Sequence, residues 1–399
     1  MKVNIEDNAM NSLKFGTFIP PIHPIRENPS LCIERDIQLV ENMDTWGYDE
    51  AWFGEHHSAG TELYSSPELM ILAAHYRTKR IKLGTGVSSL PYHHPLIFAD
   101  RFIQLHHMTQ GRAMLGVGPG ALVSDAKMMA IETTKQRDMM EESLGDILKL
   151  FNGEVVTNKT DWYELKEARL QMKPYANEEI EVVTASMMSP SGPRAAGKYG
   201  TGLMSMSATA APALNVAGTN WDIACDVASN YGHSMDRGSW RMIGMVHVAE
   251  TREKAIEDVQ FGLEEWIQYF EDVAVIPMVP KDRRSDPVSH LIESGMAAIG
   301  TPDDVIKQIE TLWESSNGGF GSFLITDHNW APFELKLKSY EMVARYVFPH
   351  FKQLNSQREE SNEWVKSSQK NFKASHEEAT KQQIDRFNES QKVKKVVTL

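Results

Sequence analysis

The chain has 399 residues, 41% of them hydrophobic and 24% charged, enough to bury one large core or two smaller ones. A formal net charge of -13 excludes a general affinity for nucleic acid or an anionic membrane surface, and Cys32 and Cys225 are too few for a disulfide framework or a cysteine-based metal site. The opening MKVNIEDNAMNSLKF lacks the apolar stretch of a signal peptide and no apolar run of about 18 residues occurs, so the expectation is a cytoplasmic protein with a small or apolar partner.

In chain order, FGTFIPP reads as a strand ending in a proline-rich turn, and LCIERDIQLVENM follows with Ile33, Ile37 and Val40 at helical spacing. YDEAWFG is the next strand. SPELMILAAHYRTK then opens with Ser66 as a cap, Pro67 at the first helical position and Glu68 in the first turn. The rhythm continues through IKLGTGV, RAMLGVG, IEVVTAS, TGLMSMS, RMIGMVHVA and GSFLITD, each flanked by a helical segment. ETREKAIEDVQFGLEEWIQYF predicts one helix with Ala255, Val259, Leu263 and Trp266 on a single face, and TPDDVIKQIETLW predicts another with Thr301 as cap and Pro302 behind it.

Strands alternating with helices imply parallel pairing, and about eight such units fit an α/β fold, a (β/α)8 TIM barrel with insertions, better than an open sheet. No GxGxxG or P-loop pattern follows a strand, which counts against a dinucleotide fold. AVIPMVPKDRRSDPVSHLIESG, between the seventh and eighth strands, reads as a long mobile loop. After RYVFPHF the composition turns polar. The expected organisation is an N-terminal extension over 1–13, a barrel domain over 14–350 and a solvated helical tail over 351–399.

In such a barrel, reactive side chains sit at the C-terminal ends of the strands, and Glu55, His56 and His57 lie at the end of the second. A histidine there can act as general acid or base, or hydrogen-bond a polar cofactor edge, because its reference pKa lies near neutrality. The bland alternative is a satisfied structural histidine. The doublets His93-His94 and His106-His107 raise a metal site, but adjacent residues diverge on strand or helix and no HExxH spacing is present. No metal is expected.

The combination of GYDEAWFGEHHS, RIKLGTGVSSLPYHHP, MTQGRAMLGVGPG and VVTASMMSPSGPRAAGKYG, in that order, resembles the flavin-dependent monooxygenases of the bacterial luciferase-like family. FGTFIPPIHP and the long tail are most similar to the limonene monooxygenase group within it. The resemblance implies FMN across the barrel mouth, ahead of FAD or F420. Its ring would meet the backbone at Gly86 and Val87, often through a cis peptide, with Gly118, Ala185 and Ser186 close by. MMSPSGPRAAG would open a helix whose free N–H groups, with Ser189 and Arg194, bind the phosphate. Pro119 stands where many relatives carry arginine, and Ala185 where luciferases carry glutamate.

The implied reaction uses reduced FMN from a separate NAD(P)H-dependent flavin reductase. O2 adds to give a C4a-hydroperoxide, which passes one oxygen atom to a small apolar organic substrate, possible examples including a terpene such as limonene, epoxidised at its alkene. Water must be excluded, and Met187, Met188, Met204 and Met206 near strand ends suit an apolar pocket. His56 would handle the proton, with His57 and Glu55 supporting its orientation. A homodimer is expected. The alternatives are a deazaflavin (F420)-dependent oxidoreductase and a non-catalytic flavin-binding subunit.

Overall fold

Apolar runs such as AMLGVG and WRMIGMVHV are buried along their whole length, the signature of parallel strands covered on both faces. The computed structural model describes residues 12–187 and 189–397. Eight parallel strands close into a barrel: β1 (Lys14–Ile19), β2 (Glu50–Phe53), β3 (Lys82–Thr85), β4 (Ala113–Gly118), β5 (Val182–Ser186), β6 (Gly202–Ser205), β7 (Trp240–Val248) and β8 (Ser322–Thr326). Each pairs with the next, and β8 returns to β1 with Lys14 opposite Ser322 and Phe18 opposite Thr326. The α/β barrel read from the alternation of the sequence is the fold.

Inward positions fill the barrel. Phe18, Trp52, Met114, Val183, Met204, Ile243 and Leu324 form one buried cluster, drawn from seven different strands. On β3 the position opposite Trp52 is Gly84, which leaves room for the indole. Below this layer, Arg241 is fully buried. Its Nε and Nη2 donate to Glu50 at 3.1 and 3.2 Å, and Nη2 also donates to Glu181. Ser322 and the Trp52 indole N–H complete the Glu50 carboxylate at 2.8 and 2.9 Å. A buried guanidinium needs such paired, hydrogen-bonded anions to offset its lost hydration.

Helix starts follow the expected punctuation. Pro29–Trp46 begins behind Asn28, whose side chain accepts from the Ser30 N–H, and ends at Gly47 in the left-handed conformation. Pro67–Arg77 and Pro302–Ser315 also carry proline at their first turn.

Three expectations change. The helix predicted from Glu250 through Phe270 is two, Arg252–Val259 and Leu263–Asp272. Gly262 breaks it because its N–H donates to Trp330 O at 2.9 Å, and a Cβ there would lie 2.0 Å from Asn329 O. The four face residues still share one buried cluster with Trp330. The stretch read as a mobile loop holds the helix Pro287–Glu293, capped by Asp286, and buries Met278, Val279, Val288 and Leu291. Arg284 ties it back to Glu264 and Glu271. The strand Ala297–Gly300, parallel to the upper half of β7, was not expected.

The chain divides into two units after Lys352. The second holds the helices Ser356–Ser367 and Gln369–Val397, with Trp364 and Phe372 in edge contact at 5.2 Å. Of the proposed N-terminal extension, residues 1–11 lie outside the described residues.

Candidate active site

As β2 ends, Gly54 donates to Ile19 O at 3.0 Å, so the chain leaves the barrel beside β1 and carries Glu55, His56 and His57 onto the C-terminal mouth. Glu55 is 3% exposed. Its Oε1 accepts from His57 Nε2 at 2.9 Å and His93 Nε2 at 2.7 Å, and its Oε2 from the Ser89 N–H at 2.7 Å. Burial pushes this carboxyl up, but the three donors outweigh it and hold it below the ordinary range. The Glu55 hydrogen bond in turn raises His57. Glu55 is therefore a fixed anion joining the ends of β2 and β3.

His56 sits between two other carboxylates. Nε2 lies 2.7 Å from Glu62 Oε2 and Nδ1 lies 3.2 Å from Asp125 Oδ2. Burial opposes charge on the ring, yet Asp125 and Glu62 outweigh it and raise His56 to about 9. Burial also raises the Glu62 carboxyl, with His56 pulling it back. At neutral pH His56 is an imidazolium that donates from Nδ1 to Asp125 and is ion-paired through Nε2 with Glu62. The orientation expected from Glu55 and His57 comes instead from Glu62 and Asp125, because the Glu55 oxygens are taken by His57, His93 and Ser89. His57 is tied in by its backbone N–H to Asp125 Oδ1 at 3.1 Å.

Beside His56 opens a cavity of about 270 Å³. Gly86, Val87, Ala185, Ser186 and Ser189 line it with Glu55 and His56. The Gly86-Val87 peptide is cis. Gly118 stands behind this wall: a Cβ there would lie 2.6 Å from Val87 Cγ2, so glycine lets Val87 settle. His57 and Arg194 do not line the cavity, and Arg194 points outward, exposed, from the helix Ser191–Tyr199. Met187 and Met206 line it, Met204 belongs to the barrel interior, and Met188 lies outside the described residues.

Sequence reasoning missed Glu62, Asp125 and Arg137. Arg137, exposed at the start of the helix Gln136–Phe151, lines the cavity and has no charged partner among the described residues. Of the histidine doublets, only His93 joins the site. His106 Nδ1 accepts from the Tyr175 N–H, and His107 reaches Lys173 O. No group of three metal-ligating side chains occurs among the described residues.

A closed parallel barrel with paired histidines and carboxylates around a cavity at its C-terminal mouth defines a (β/α)8-barrel enzyme site. The family described as luciferase-like monooxygenase matches residues 13–318, and the chain belongs to it. It is 43% identical over 341 residues to limonene 1,2-monooxygenase of Rhodococcus erythropolis, covering 84% of this chain and 86% of that one. It is 40% identical over 349 residues to 4-hydroxyprotoasukamycin monooxygenase of Streptomyces nodosus subsp. asukaensis, covering 86% and 93%. Among solved structures, the oxygenating constituent of 3,6-diketocamphane monooxygenase from Pseudomonas putida, a type II Baeyer-Villiger enzyme in complex with FMN, superposes with a TM-score of 0.70. Identity there is 23%, covering 85% of this chain and 98% of that one, and the likeness is one of fold.

Proposed function

We propose that this enzyme binds reduced FMN and uses O2 to insert one oxygen atom into a small apolar substrate, a terpene alkene such as limonene being the leading candidate. The observation that carries this reading is the cavity wall. One side is the backbone at Gly86 and Val87, another is Ala185 and Ser186, and the N-terminus of the helix Ser191–Tyr199 opens onto the same space. Ser186 Oγ is buried without a partner among the described residues, a polar atom left for a bound group to satisfy.

The residues fit a flavin phosphate. Ser189 and Ser191 hydroxyls stand 2.7 Å apart at the helix start, where backbone N–H groups are free and the dipole favours an anion. Arg137 adds the cation that Pro119 does not supply. Reduced FMN, once bound, supplies the oxygen-activating chemistry. The chain supplies the rest: Phe18, Val87, Met187, Met206 and Ile276 give an apolar lining that excludes water, and His56 holds a proton at the cavity wall. A separate reductase and a homodimeric state complete the proposal.

The test is stopped-flow absorbance after mixing protein and reduced FMN with oxygenated buffer. A transient species preceding oxidised flavin, shortened in His56→Ala, is expected. Tight binding of a deazaflavin with no binding of FMN would overturn the reading.

A further inference from the structure

Glu62 has two partners on two different elements. Oε2 meets His56 Nε2 at 2.7 Å, and Oε1 accepts from the Tyr269 hydroxyl, which comes from the helix Leu263–Asp272. Glu62 is 5% exposed and Tyr269 7%. His56 lines the first cavity, whereas Tyr269 lines a second one of about 520 Å³, together with Ile22, His23, Thr61, Trp266 and Asn329. A continuous row of close polar contacts, the Tyr269 hydroxyl bonded to Glu62 and Glu62 ion-paired with His56, therefore runs from the wall of one cavity to the wall of the other.

We propose that Tyr269 and Glu62 form a proton path that recharges His56 from the second cavity, so that the reaction cavity need not admit water. This rests on the monooxygenase reading for its purpose. Anionic reduced FMN, O2 and substrate give oxidised FMN, oxygenated substrate and water only if one further proton is taken up in each turnover. His56 gives that proton from Nε2 to the oxygen atom that leaves as water, and is left as a neutral imidazole. The Tyr269 O–H proton then passes to Glu62 Oε1 as the phenolic oxygen takes one from water in the second cavity. The carboxylic acid turns about its Cγ–Cδ bond and delivers its proton to Nε2, restoring the imidazolium and the Glu62 carboxylate.

The groups around the path agree with these roles. Asp125, from the helix Val123–Met128, faces the opposite nitrogen of His56 and favours its charged form. His57 adjoins it but is held by Glu55, and Arg137 and Glu141 line the same cavity without an ion pair to His56. Among the described residues, Glu62 alone links His56 to Tyr269. A carboxyl raised by burial, with the Tyr269 hydroxyl on one oxygen and the His56 ring 2.7 Å from the other, suits a group that accepts and returns a proton.

The test uses the full-length, flavin-free protein with isotopically labelled histidine, so it stands apart from the flavin assignment. NMR follows exchange of the His56 Nε2–H with water in wild type, Tyr269→Phe and Glu62→Gln. The phenylalanine variant keeps the ring and the fold while removing the one O–H, and exchange should slow at least about tenfold in both variants. In Glu62→Gln the His56 titration midpoint should also fall, because an amide cannot hold the shared proton. Equal exchange rates in all three proteins, or an unmoved midpoint in Glu62→Gln, would overturn the path. Failure of wild type to oxygenate any substrate, with slowed exchange intact, would instead strike the monooxygenase reading and leave the path standing.

Discussion

Trp52 fills the space that any side chain at position 84 would need. A Cβ on Gly84 would lie 2.2 Å from Trp52 Cε3, and Gly84 is paired opposite Trp52 in the β2–β3 register. Neither the fully buried indole nor the strand can move far. Gly84→Ala should cost about 2–3 kcal/mol through overpacking, read as a lower urea midpoint. Adding Trp52→Phe should recover part of that loss. An unchanged midpoint in Gly84→Ala would mean that the interior is looser than this.

Glu50→Ala removes the bidentate partner of a fully buried guanidinium. Of its two carboxylate partners Arg241 would keep only Glu181, which is 28% exposed at its side chain, and a stranded buried charge costs about 3–5 kcal/mol. Glu181→Ala should cost less, because Glu50 still pairs Arg241. Parallel denaturation curves give the ranking directly, and the reverse order would refute the role given to Glu50.

His56 makes stability depend on pH. Its pKa rises from 6.5 to about 9 on folding, so the stabilisation is fully present below about 6.5 and lost as pH climbs through about 9. The upper bound is about 3 kcal/mol. Wild type should lose stability relative to His56→Gln between about pH 6 and pH 10. If the difference between the two proteins stays constant over that window, His56 is not held as an imidazolium.

Arg137, which lines the cavity, and Arg194, which does not, can be told apart as phosphate partners. Arg137→Ala should weaken FMN binding about tenfold, as expected for one lost charge-assisted contact, and leave riboflavin binding unchanged because riboflavin has no phosphate. Arg194→Ala should change neither. Fluorescence titration with both flavins checks this, and equal losses for the two ligands would place Arg137 away from the phosphate.

Much of the barrel was legible because each β run is a local pattern: apolar residues bounded by turns and caps, with Pro67 and Pro302 marking helix starts. Features that depend on distant neighbours were not. The break at Gly262 exists because Asn329 and Trp330 approach it, and nothing within the helical period around residue 262 announces that. The order in the stretch after Asp272 comes from Arg284 meeting Glu264 and Glu271, which the proline-rich composition hides. His56, Gly86 and Ala185 stood out through local motifs at strand ends. Asp125 did not, since a carboxylate in a surface-looking segment carries no local sign that it meets a histidine 69 residues away, and Glu62, though close to His56 in the chain, lies in an irregular stretch with no period to pair the two. Arg194 follows a glycine and serine turn in the sequence, but it leaves the helix on the solvent side.

The central claim is oxygen insertion, and the most direct measurement supplies reduced FMN, limonene and isotopically heavy O2 to the enzyme and weighs the product. The account predicts an epoxide carrying one heavy oxygen atom, with O2 consumed in step with product. Complete reoxidation of the flavin with only hydrogen peroxide formed, for limonene and for a panel of other small apolar alkenes, ketones and aldehydes, would contradict it.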